Sequence, residues 1–312
     1  MSLRLANGEL PSSIKAGTTT IKRVYRGGTN VWGDWSPSDL TDLDIWLDAA
    51  DTSSSSISTT STAGRVSTWH DKSGNSRDFS TGGGAHWNIG INDSQPYTGS
   101  RTLNGHNVID FQGAEHLRGD QTLGTQTLCV FQAGVMDSFG DNASSAFSFG
   151  NAANARGDLH SFSTNKFYAR LTRDIADDNI FLDSTTAISA GDSYFHSLHV
   201  DATGNSIEYF KDGTSYGSVT HLDTDRVNTN NRLILYNYRQ INLTSTTTNN
   251  DPTNIGFRNL GAIDGCLGEV IVTDATVSTA DRQKIEGYLA HKWGMTDLLP
   301  SDHPYKSLWP TT

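Results

Sequence analysis

Along most of this chain apolar and polar residues alternate with the two-residue period of a half-buried β-strand, and one late segment alone follows a helical period. Leu43 to Asp48 opens a main domain in this way. Further strand signals lie at Arg65 to Trp69 and at Asn107 to Gly113, where the run stops at glycine. Others fall at Thr127–Val135, Ala146–Phe149, Lys166–Leu171, Tyr194–Val200, Ser206–Phe210, Arg232–Tyr236 and Leu267–Thr273. Short strands broken by frequent turn clusters are the pattern of a sandwich or barrel.

The sharpest local signal runs from Tyr194 to Gly217: a strand, a Gly204-Asn205 turn, a strand, an Asp212-Gly213 turn and a third strand. Asp-Gly suits a type I′ turn, whose two central residues need positive φ, so a three-stranded meander is expected. The helix is expected from about Thr279 to Trp293, with Ser278 as N-cap, Asp281 at the third position and Gly294 just past the end. Its apolar residues Ile285, Tyr288, Leu289 and Trp293 should lie against the sandwich.

Two segments break the pattern. Thr52 to Thr62 is Ser or Thr at ten of eleven positions and reads as a solvated loop, not a strand partner. Residues 1–36 read as a separate arm: Ile21 to Trp32 alternates around a Gly-Gly-Thr-Asn turn, a β-hairpin too small to form a core alone. It must pack on the main domain, residues 37–312, or on another subunit.

Composition narrows the function. The 312 residues suit one large sandwich plus an appendage, since all-β folds often run to about 200–250 residues. With 34 acidic against 23 basic residues the net charge is −11, which makes nucleic acid and anionic membranes poor partners. No run approaches the roughly 18 apolar residues of a membrane span, and the start lacks the apolar stretch of a signal peptide, so cytosolic synthesis is expected. Cys129 and Cys266 each sit in an apolar run and are expected as buried free thiols.

The candidate chemistry is sparse. Asp71, Ser73, Asn75 and Asp78 fall on one Gly-containing loop, with Asp48 and Asp51 nearby, and fit either a calcium loop or an Asx-turn network. His196 and His199 are three apart in a strand and so face opposite ways, which argues against zinc. Gly191-Asp192-Ser193 matches an esterase nucleophile triplet but lacks its partner motif, so a turn is expected there. No Gly-x-Ser-x-Gly elbow or phosphate-cradling loop occurs, leaving acyl transfer and nucleotide hydrolysis without sequence support. Trp46, Trp69 and Trp293 are expected in the core, while His86 and Trp87 are the more exposed candidates for stacking on a sugar. The polar loops 52–62, 137–145 and 244–254 offer further hydrogen-bonding groups to a glycan.

The stretches Ile45 to Asp51, Val66 to Asn75, Leu103 to Gly113 and Tyr194 to Gly217 resemble concanavalin A-like, laminin-G-type jelly rolls. The closing segment from Gly268 to Tyr305 is similar to the ending of such domains from marine bacteria and phages. The resemblance spans roughly residues 40–309 and implies an all-β sandwich of two antiparallel sheets with one C-terminal helix. Glycosidases of this class use a Glu-x-Asp-x-x-Glu strand as acid and nucleophile; no two Glu here lie within five residues, so the chain is expected to bind rather than catalyse.

Tyr25 to Trp32 resembles the Tyr-x-Gly-x-x-x-Val-Trp stretch that opens many phage tail and appendage proteins, which implies docking through Val24, Tyr25, Asn30, Val31 and Trp32. The resulting expectation is a phage virion protein, made in the host cytoplasm, that docks on other virion subunits and carries a lectin-like module for host-surface glycan. Two alternatives stay open: a purely architectural virion protein without glycan binding, and a divergent polysaccharide-degrading enzyme. A homo-oligomer fits either virion role.

Overall fold

The computed structural model describes residues 14–16, 19–21, 23–26, 29–60, 64–80, 95–112, 115, 117–119, 127–137, 144–150, 156–162, 166–172, 179–183, 189–201, 206–220, 232–235 and 264–311. The expected all-β class holds: two antiparallel sheets stack, and one α-helix follows them near the C-terminus. The first sheet has seven strands, in the order Ile109–Gln112, Asp264–Thr273, Leu128–Met136, Ser193–Asp201, Ser206–Lys211 and Thr214–Thr220, with Leu43–Asp48 also paired to Asp264–Thr273. One flank of Asp264–Thr273 is thus shared, its first half with Ile109–Gln112 and its second half with Leu43–Asp48.

The second sheet has nine strands, in the order Asn179–Asp183, Lys166–Thr172, Arg156–Phe162, Ser144–Gly150, Arg232–Leu235, Leu117–Gly119, Phe79–Ser80, Val66–Trp69 and Ile57–Thr59. The strand at Ile57–Thr59 corrects the expectation for the Ser/Thr tract, because it pairs Ser58 with Thr68 and Ile57 with Trp69. Ile57 is the reason: it is the one apolar residue of the tract and is buried in the core opposite Trp69. The strands Arg156–Phe162 and Asn179–Asp183 were not expected from the pattern.

Two apolar layers follow from strand alternation. Ile45, Leu47, Val66, Trp69, Phe79, Leu128, Val130, Leu198, Tyr209 and Val272 fill the space between the sheets. The opposite face of the seven-stranded sheet, with Phe131, Phe195 and Ile271, packs on Ile285, Tyr288, Leu289 and Trp293. Leu128–Met136 is buried at every position because each of its faces meets one of these layers, so it reads as apolar but for Gln132, which meets His196 at 2.9 Å. Each fully buried Leu, Val or Phe contributes about 1.5–3 kcal/mol.

The meander forms as expected, and Asp212 and Gly213 take φ of 52° and 79°. The helix spans Thr279–Lys292; Ser278 Oγ accepts from Asp281 N at 3.1 Å. Gly294 has φ of 73°, and Met295 N donates to Ala290 O at 2.7 Å, closing a Schellman end. Gly268 must lack a side chain, since a Cβ there would sit 2.7 Å from the Trp293 ring.

The N-terminal arm forms two hairpins, Ile14–Ala16 with Thr19–Ile21 and Arg23–Arg26 with Thr29–Gly33. The second pairs Val24 with Trp32 and Tyr25 with Asn30, and among the described residues neither hairpin pairs with the main sheets. The packed body begins by Trp35, whose ring is buried edge-on against Tyr288 at 5.8 Å and whose backbone N–H donates to Pro310 O at 2.8 Å.

Candidate functional site

The outward face of the nine-stranded sheet is set by register. Ile57, Trp69 and Phe79 point into the core, so Ser58, Thr68 and Ser80, which lie opposite one another on successive strands, point outward. His70 and Asp78, one residue beyond the Trp69 and Phe79 pair, fall on the same outward row. Ser58 Oγ lies 2.8 Å from His70 Nε2, and His70 Nδ1 lies 2.7 Å from Asp78 Oδ2. Ser53, Ser54 and Ser55 stand exposed beside this row, and Ser53 and Ser56 hydrogen bonds hold the Asp51 carboxyl below its ordinary range.

The loop that follows His70 is locked by its own side chains. Asp71 Oδ1 accepts from Trp46 N and Ser73 N, both at 2.9 Å, while Oδ2 accepts from Ser73 Oγ at 2.6 Å and Arg77 N at 3.1 Å. Asn75 Nδ2 donates to the carbonyls of Leu43 and Asp44, and Asp78 Oδ1 accepts from Asp71 N. The four residues considered for calcium therefore do meet on one loop, as an Asx-type network whose oxygens already serve internal donors. No group of three or more His, Cys, Asp or Glu arranged for a metal occurs among the described residues.

A second polar cluster joins residues that the sequence keeps far apart. Glu269, with no exposed surface, accepts at Oε1 from Trp46 Nε1 at 2.6 Å and Tyr288 OH at 2.8 Å. Its Oε2 accepts from Lys292 Nζ at 2.7 Å and Trp293 Nε1 at 2.9 Å. Lys292 also donates to Asp48 at 2.7 Å, and Lys72 reaches the other Asp48 oxygen at 3.0 Å. Burial works against ionisation of Asp48, but Lys292 and Lys72 outweigh it and hold that carboxyl below the ordinary range. Burial raises the Glu269 carboxyl, with Lys292 opposing and Asp48 adding to the rise. Four donors on a carboxylate with no solvent contact make this a clamp between helix and sheet.

Other candidates fall in varied places. His86 and Trp87 lie outside the described residues, as do loop 244–254 and much of loop 137–145. Trp69 and Trp293 are core residues, and Trp46 is partly buried beside Glu269. His196 and His199 do face opposite ways: the first contacts Gln132 and Tyr209, the second packs on Phe131 and Phe210. Burial pushes both imidazoles down to about 3. Gly191-Asp192 forms the expected exposed turn, and Ser193 pairs with Val135. The two cysteines are free and buried. No helix among the described residues is long and apolar enough to cross a membrane.

No protein-family model matches the sequence, and no curated protein matches it. The fold does have solved counterparts. Domain 4 of an extracellular arabinanase from Geobacillus stearothermophilus, solved with arabinotriose, superposes with a TM-score of 0.51 at 11% identity, over 77% of this chain and 95% of that one. An arabinofuranosidase solved with arabinofuranosyl-α-1,2-xylobiose gives a TM-score of 0.50 at 14% identity, over 73% of this chain and 51% of that one. At such identities the likeness establishes a concanavalin A-like jelly roll and nothing finer.

Proposed function

We propose that this chain is a bacteriophage virion protein whose sandwich binds host-surface glycan, and whose N-terminal hairpins join it to other virion subunits. The observation that carries the binding half is the outward row Ser58, Thr68, His70, Asp78 and Ser80 on the nine-stranded sheet. Hydroxyl, imidazole and carboxylate groups on one sheet face match the donors and acceptors of a sugar edge, and the serines at 53–55 extend the same chemistry beyond the sheet. The solved domain with arabinotriose shows that a sandwich of this shape accommodates a saccharide in that protein.

Glycosidic cleavage is not part of the proposal. Hydrolysis needs two carboxyl groups reaching one bond from a groove. Asp48 with Glu269, Asp48 with Asp51, and Asp110 with Asp137 each share a cation, Lys292, Lys72 and Arg101 respectively, which takes the space a saccharide would need between the two carboxylates. The docking half rests on the Tyr25 to Trp32 motif, which falls on a hairpin separate from the main sheets.

Immunogold labelling of purified particles together with adsorption of the purified full-length chain to host cells tests both halves. Label on a fibre, tail or capsid surface and saturable adsorption, abolished by periodate treatment of the cells, are expected. Particles without the chain overturn the virion assignment, and adsorption indifferent to periodate overturns the glycan assignment.

A further inference from the structure

Ser58, His70 and Asp78 lie on three adjacent strands or their immediate continuations, and their contacts have a direction. Asp78 Oδ2, a carboxylate acceptor, faces His70 Nδ1 at 2.7 Å, so Nδ1 carries the ring proton of the neutral imidazole. That leaves Nε2 as a free base, and it faces Ser58 Oγ at 2.8 Å. The other acceptor near this hydroxyl, Ser54 O, is at 3.4 Å, so the shorter contact takes the proton. Asp78 is itself held by Asp71 N on its second oxygen at 2.9 Å, which fixes the carboxylate and through it the ring. Nucleophile, base and orienting acid stand in the relation that activates serine in hydrolases on unrelated folds, where geometry and not sequence position defines the site.

We propose that Ser58 is an activated nucleophile and that this row is an acyl-transfer site for carboxylic esters. It departs from the expectation that the chain lacks catalytic chemistry, which rested on missing linear motifs. It shares this row with the proposed glycan surface but not its premise: the Ser58, His70 and Asp78 contacts carry it, and its test is read without any saccharide. Access favours it: Ile57–Thr59 ends its sheet, and the His70 side chain is 27% exposed, so an ester can approach from solvent.

In the first step Ser58 Oγ bonds to the ester carbonyl carbon while its proton passes to His70 Nε2, and Asp78 stabilises the resulting imidazolium. Collapse of the tetrahedral adduct breaks the bond to the alcohol, which leaves with the proton from Nε2. Water then gives a proton to Nε2 as its oxygen attacks the acyl-Ser58 carbonyl. The carboxylic acid departs, and Ser58 recovers its proton from His70. Asp78 is 41% exposed, so water weakens its hold on the ring, and the rate gain from the base belongs at the low end of the usual 10²–10⁴-fold range.

The test treats the full chain with a fluorophosphonate probe and maps the adduct by mass spectrometry. The proposal predicts an adduct on Ser58 and not on the neighbouring Ser53, Ser54 or Ser55, with none after heat denaturation. His70→Ala should slow labelling on the order of 100-fold and Asp78→Asn less, while the wild-type chain releases p-nitrophenol from p-nitrophenyl acetate and Ser58→Ala does not. No adduct on folded wild-type protein, or an adduct spread over the serine tract, overturns it. So does a folded His70→Ala variant that labels at the wild-type rate; should that variant not fold, the wild-type adduct position alone decides.

Discussion

Lys292, in the last turn of the helix, and Glu269, on the strand Asp264–Thr273, meet at 2.7 Å where Glu269 has no contact with solvent. Removing one partner of such a pair leaves a buried charge without compensation, a loss of about 3–5 kcal/mol. Lys292→Met should therefore lower unfolding free energy by about that amount in urea titrations. Adding Glu269→Gln to the same chain should recover part of it, because the two changes are coupled. A single-variant loss below about 1 kcal/mol would show that the clamp adds little to stability.

Asp44 predicts a pH dependence. Burial pushes its carboxyl up from 3.8 to about 6, with Arg77 opposing, and its Oδ2 has no partner among the described residues. A folded-state value above the unfolded one means that the native protein binds the proton more tightly. The contribution is complete below about pH 4 and fades as the pH rises through about 6; it amounts to roughly 3 kcal/mol. Glu269, also raised, acts in the same sense, whereas the lowered Asp48 matters only in more acid solution. Buried His196 and His199, both lowered, act in the opposite sense over the same range, so the Asp44 contribution is read as a difference. In urea titrations the stability of the wild-type chain relative to Asp44→Asn should fall between pH 4.5 and 7, and a difference that does not change with pH contradicts the assignment.

Gly268 predicts a steric effect. Its substitution by Ala places a methyl 2.7 Å from three ring atoms of Trp293, so the helix must shift or the ring must turn. Overpacking of this kind costs about 1–3 kcal/mol. A lower melting temperature with a red-shifted tryptophan emission is expected, and an unchanged emission maximum would show that the ring does not rest on that strand.

The cysteines predict slow chemistry. Burial raises Cys129 to about 11 and Cys266 to about 12, and neither has exposed surface. Only a thiolate reacts readily, so the native chain should resist a disulfide reagent at pH 8, and both thiols should react once the chain is unfolded. Rapid labelling of the native protein contradicts the packing described around Leu128–Met136.

How legible all this was depends on distance along the chain. The meander from Ser193 to Thr220 and the helix from Thr279 were readable because turn residues, caps and alternation act within a few positions. The strand at Ile57–Thr59 was hidden because hydroxyl residues outnumber its single core side chain, and only Ile57 marked it. Trp46 and Glu269 are 223 positions apart, so no local pattern could announce their bond; the one clue was a lone Glu in an otherwise apolar strand. The row of Ser58, His70 and Asp78 shares this limit, since strand register, not spacing in the chain, brings the three together. Asp71 lies between these cases: its Asx pattern was visible, but the bond to Trp46 N that ties the loop to the first strand was not.

Glycan-array binding of the full chain beside its Thr68→Arg variant decides whether the outward row of the nine-stranded sheet receives a saccharide. Thr68 lies between Ser58 and Ser80 in that row, so a long side chain there covers the surface without entering the core. Binding to a defined set of host-envelope glycans is expected, reduced at least about tenfold (about 1.4 kcal/mol) by the substitution at unchanged melting temperature. Binding that Thr68→Arg leaves intact, or no binding to any host glycan, would contradict that expectation.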